Sequence, residues 1–176
     1  MKSILPLLPF LTVAVLASCH AEESAKPAET APAAGAAPAA AAPTAPAEAV
    51  TRIKLGVIPA VMKFDKATLE VKAGAKVMLL FINEKCPLQH NFLLLTPGKL
   101  NDIGALADKM LTDPTAMAKH YIPTSPEILA HSTKLIGIGQ SDIIEFTAPA
   151  EPGDYPYICT FPGHWRMMNG VMKVTP

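Results

Sequence analysis

The sequence predicts an all-β domain over residues 51–176, a sandwich or barrel of short strands with one short helical insertion. Apolar residues alternate with polar ones in short stretches, and turns containing Pro or Gly separate those stretches. The 176-residue length, once the N-terminal segment is set aside, leaves room for one core and not for two.

The elements follow in order. Ile53, Leu55 and Val57 alternate, as do Leu69 and Val71 ahead of an Ala73-Gly74 turn. Val77 to Ile82 is an unbroken apolar run, which predicts a strand buried on both faces. Further strands are expected at Asn91 to Leu95, Asp142 to Thr147, Tyr155 to Cys159 and Val171 to Val174. Ile103, Leu106, Ala107, Met110 and Leu111 fall at helical spacing behind a candidate Asn101 cap, and Asp113-Pro114 stops them. This helix is expected to cross one edge of the sandwich.

The chain begins differently. Lys2 is followed by an apolar run from Ile4 to Val15, shorter than the roughly 20 residues a membrane-spanning helix needs. Leu16-Ala17-Ser18-Cys19 then resembles the lipobox of bacterial lipoproteins, so residues 1–18 are expected to be a lipoprotein signal peptide and Cys19 the lipidated residue. Residues 19–50 are Ala- and Pro-rich, with almost nothing to bury, and are expected to be a disordered linker. Such a tether reaches up to roughly 90 Å at about 3.1 Å per residue.

Composition excludes several classes. Fifteen basic and fifteen acidic side chains cancel without a basic cluster, which argues against a nucleic-acid partner. Three cysteines in unrelated surroundings are not a disulfide framework. Five histidines are too few for a second, catalytic metal centre, so no enzyme is expected.

The chemistry concentrates in Cys159 to Met168, where one predicted strand ends and the last begins. A soft thiolate, the imidazole of His164 and a thioether within ten residues are donor types that suit copper. His90, at the start of an earlier strand, supplies the second imidazole of a two-His, one-Cys plane.

The segments Ile128 to Gly137 and Tyr157 to His164 resemble azurin and the membrane-tethered auracyanins, blue copper proteins of the cupredoxin class, and the similarity extends from Thr51 to Pro176. It implies a cupredoxin Greek-key β-sandwich holding one type 1 copper ion, with His90, Cys159 and His164 as strong ligands. Met168 is implied as the weak axial ligand, and Met167 would serve if the loop differs by a residue. Asn91 is implied to tie the ligand loops together, with Gln89 and Phe161 also beside the ligands. Gln89 stands where azurin has a Gly, which leaves a fifth contact from its carbonyl open. The N-terminal disulfide of azurin is missing. Cys86 is expected to be a buried thiol, with an exposed oxidisable thiol or an extra metal contact as alternatives. His120 and His131 are expected at the surface or behind the ligands.

The function implied is single-electron transfer by Cu(II)/Cu(I) cycling, in a lipid-anchored, periplasmic or otherwise extracytoplasmic monomer. Partners would be redox proteins of cytochrome or oxidase type, docking on an apolar patch around His164 formed by Leu88, Pro162, Gly163 and Trp165. A copper carrier or delivery module is the alternative.

Overall fold

The alternating stretches pair into two sheets in the computed structural model, which describes residues 49–176. The expected signal peptide, the lipidation site Cys19 and nearly all of the expected linker lie outside the described residues. The first sheet contains β1 (Thr51–Gly56), β3 (Lys76–Asn83) and β6 (Gln140–Thr147), with β3 central, parallel to β1 and antiparallel to β6. The second holds β2 (Thr68–Lys72), β4 (Leu93–Leu95), β5 (Ile128–Ser132), β7 (Gly153–Ile158) and β8 (Asn169–Thr175) in the order β2-β8-β7-β4-β5.

Alternation decides which face each strand buries. In β3 Val77, Leu79 and Phe81 are buried, whereas Met78, Leu80 and Ile82 are only half-buried. The expectation that this run is buried on both faces is therefore corrected, because the opposing sheet covers only its inner face. Between the sheets Phe64 meets Tyr157 edge to face at 5.2 Å, and Phe92 lies 5.4 Å from the same ring. The Tyr157 hydroxyl donates to the Lys66 carbonyl at 2.6 Å, so the ring's polar end is satisfied in the core. Gly170 of β8 runs against this phenol, and a Cβ there would overlap it.

β4 is three leucines, each fully buried, because it has apolar cover on both sides. Leu94 faces the main core, while Leu93 and Leu95 join Ile158, Ile103, Ala107 and Trp165 in a second cluster under the helix α1 (Leu100–Lys109). The helix thus covers the outer face of the five-stranded sheet rather than crossing an edge, as those leucines would otherwise be exposed. Its N-cap is Lys99, without a side-chain capping bond, and Asn101 lies inside the helix. A 3₁₀ turn at Met110–Thr112 ends it, and there Met110 turns inward while Leu111 is exposed. β5 was not among the expected strands. Among the described residues no helix is long and apolar enough to cross a membrane.

Candidate metal centre

Two strand ends deliver the chemistry to one place. β7 ends at Ile158, so Cys159 starts the loop that returns to β8, and the loop's mouth is closed by the Cys159 N–H donating to the Met168 carbonyl at 3.0 Å. Inside the loop the N–H groups of Met167 and Met168 both donate to the His164 carbonyl, at 3.0 and 2.8 Å. That tight turn separates neighbouring thioethers: Met168 is fully buried, whereas Met167 is 51% exposed.

His90 arrives from the segment before β4. Its main chain exchanges two hydrogen bonds with Ile136, of 3.0 and 2.8 Å, so its Cα is held from both sides. The Cys159 sulfur lies 3.8 Å from His90 Nδ1 and 3.6 Å from His164 Nδ1. A divalent first-row ion bonded at about 2.0 Å to nitrogen and about 2.3 Å to sulfur, at about 120°, sets N and S about 3.7 Å apart. The observed spacings fit one shared ion. Among the described residues this buried trio is the single group of His, Cys, Asp or Glu side chains with metal-binding spacing.

Burial sets the protonation of the metal-free site. It pushes the Cys159 thiol up to about 12, against the N–H hydrogen bonds that favour thiolate. Burial, and then the neighbouring His164, lower His90 to about 4, and burial lowers His164 as well. At neutral pH the site offers two neutral imidazoles and a protonated thiol.

Asn91 ties the loops together. Its carbonyl oxygen accepts the Thr160 N–H at 2.8 Å, and its amide donates to Thr160 Oγ1 at 2.9 Å and to the His120 carbonyl at 2.8 Å. His120 contributes through its backbone, held at a φ of 54°, and its ring is not in the trio. His131 is half-buried and stacks on Phe146 with centroids 4.5 Å apart, also outside the trio. Phe161 packs against His164 at 4.8 Å, and Gln89 is half-buried beside His90.

One expected patch residue is corrected. Trp165 is buried, its indole lying against Gly104 of α1, where any Cβ would overlap the ring. Its Nε1–H donates to Asp108 at 2.9 Å, and Arg166 forms a bidentate pair with the same carboxylate while covering the indole at 4.3 Å. The residue after His164 therefore anchors the ligand loop to the helix. The signal for this clamp, a glycine and an acid four residues apart on the helix, was present in the sequence but had no known partner.

Cys86 is buried and free, in line with expectation, but it is more than filler: its sulfur lies 3.2 Å from His90 Nε2.

Residues 51–175 match the family described as copper binding proteins, plastocyanin/azurin family. Auracyanin-A of Chloroflexus aurantiacus is 32% identical over 122 residues, covering 69% of this chain and 73% of that protein. Azurin-1 of Alcaligenes xylosoxydans xylosoxydans is 32% identical over 123 residues, covering 64% and 89%. The solved structure of auracyanin A, a "blue" copper protein from Chloroflexus aurantiacus, superposes with a TM-score of 0.65 at 31% identity, covering 72% of this chain and 100% of that one. With two imidazoles and a cysteine sulfur converging at the end of this cupredoxin sandwich, the chain belongs to the plastocyanin/azurin family of copper-binding proteins, and its cofactor is one type 1 copper ion.

Proposed function

We propose that this chain is a membrane-tethered electron carrier, with His90, Cys159 and His164 as the strong copper ligands and Met168 as the weak axial one. The observation that carries the proposal is the pair of sulfur-to-nitrogen spacings, 3.8 and 3.6 Å, in a buried site. Copper, when bound, supplies a one-electron couple. The protein's part is to hold the donors still: two strands, the Asn91 bridge and the Trp165 anchor fix them before any ion arrives, so little has to reorganise when an electron does. Burial of Met168 and exposure of Met167 support Met168 as the axial sulfur.

His164 is only 3% exposed, so contact with partners would pass through a narrow window. Leu88, Pro162 and Gly163 from the expected patch, joined by the exposed Met167 in place of Trp165, would form an apolar rim for brief docking by redox proteins of cytochrome or oxidase type. Lipidation at Cys19 and a linker through residue 50 would keep a monomeric domain near an extracytoplasmic membrane surface. No bond of a substrate is made or broken. A delivery module would need ligands that exchange, whereas Cys159, His90 and Met168 are each fully buried, which favours electron transfer.

Cys159→Ser tests the ligand set. The intense thiolate-to-copper absorption of the copper-loaded protein is expected to vanish, and a variant that stayed blue would remove Cys159 from the site. Fast electron self-exchange supports the carrier role; rapid Cu(I) hand-over to an apo-acceptor with slow self-exchange would support delivery instead.

A further inference from the structure

We propose that Cys86 is a positioning residue for His90: its sulfur accepts the imidazole Nε2–H, fixing the tautomer that leaves the Nδ1 lone pair facing Cys159. This deepens the copper-site proposal and rests on His90 binding through Nδ1.

His90 is fully buried, so whichever ring nitrogen carries the proton must find an acceptor within the protein. Nδ1 lies 3.8 Å from the Cys159 sulfur, on the metal side, and Nε2 lies 3.2 Å from the Cys86 sulfur. A ligating histidine characteristically donates its remote N–H to a fixed acceptor, which orients the ring and raises its basicity. Here the acceptor is a thiol sulfur.

That sulfur is itself held in place. Asn83, fully buried at the end of β3, accepts the Cys86 N–H on Oδ1 at 2.9 Å and donates Nδ2–H to the Leu88 carbonyl at 2.8 Å. The Asn83 carbonyl accepts the Gly139 N–H at 2.6 Å, which secures the loop to the turn before β6. The 83–88 loop is thus closed on one buried amide, with Cys86 under the ring. An apolar side chain there would leave Nε2–H without a partner in a site where no other buried side-chain nitrogen or oxygen lacks one among the described residues.

A sulfur is a weak acceptor, so it orients the ring while adding less basicity than a carboxylate would. Removing it should make His90 a poorer donor to the oxidised ion and raise the reduction potential.

The test uses the full chain, wild type and with Cys86→Val or Cys86→Ser. Nitrogen-15 NMR of the metal-free and Cu(I) proteins is expected to show His90 as the Nε2–H tautomer, with a slowly exchanging ring proton. In Cys86→Val that proton should exchange faster and the potential should rise. In Cys86→Ser, which keeps an acceptor, both should move back toward wild type. An Nδ1–H tautomer in the metal-free wild type would overturn the proposal, as would variants that melt earlier with potential and ring resonances unchanged. Should the valine variant fail to accumulate, serine decides alone: replacing sulfur by oxygen must move the Nε2–H resonance, and an unmoved resonance counts against the contact. Failure of the copper-site proposal would appear separately, as a wild-type chain that develops no blue absorption with Cu(II).

Discussion

A thiol at the centre of a buried cluster must lose its proton before it can bind an ion. Cys159 is pushed up to about 12 by burial, while His90, at about 4, is already neutral at pH 7. Binding near neutrality therefore expels about one proton, from sulfur, and affinity should rise about tenfold per pH unit. As pH falls toward about 4, protonation of His90 adds a second competing proton and the dependence steepens. Titration of the metal-free protein with cobalt(II) between pH 5 and 8, followed by its visible bands, measures this; a flat affinity would mean the thiol is already ionised. The donor types at this scale were legible because they depend on side-chain identity alone. The burial of Met168 and the exposure of Met167 were not, since they follow from a turn in which both N–H groups reach the His164 carbonyl.

The helix shows what a local period can and cannot convey. Its apolar spacing announced it, but the reason for Gly104 lies 61 positions later, in the indole of Trp165. Alanine at an exposed helix position gains about 1 kcal/mol over glycine. Here the added methyl meets the ring, so Gly104→Ala is expected to destabilise the fold by about 1–3 kcal/mol, the usual range for overpacking. Denaturant unfolding checks the sign, and the blue band should shift because the displaced residue adjoins His164. A stabilised variant with an unchanged spectrum would show that the clamp is loose. The missed strand β5, whose sequence ILAHS lacks clean alternation, is likewise defined by its partner: Leu93 and Leu95 pair with Ser132 and Ile128.

At the scale of the whole molecule, the folded domain and the segment preceding it are proposed to have separate tasks. If Cys19 carries lipid, Cys19→Ser should move the protein from the membrane fraction to the soluble one and leave the blue spectrum intact; fractionation followed by spectroscopy tests both halves of that statement. By itself the sequence determined the all-β class, the helix and the soft donor set, because backbone periods and ligand chemistry are written in residue types. Only the tertiary structure decided that His90 and Cys159, 69 positions apart, share one pocket, that Trp165 faces the helix, and that Cys86 lies beneath a ligand ring. The reason is physical: such contacts depend on how distant strands are layered, and no local pattern carries the distance between two side chains that meet only after the sheets have closed.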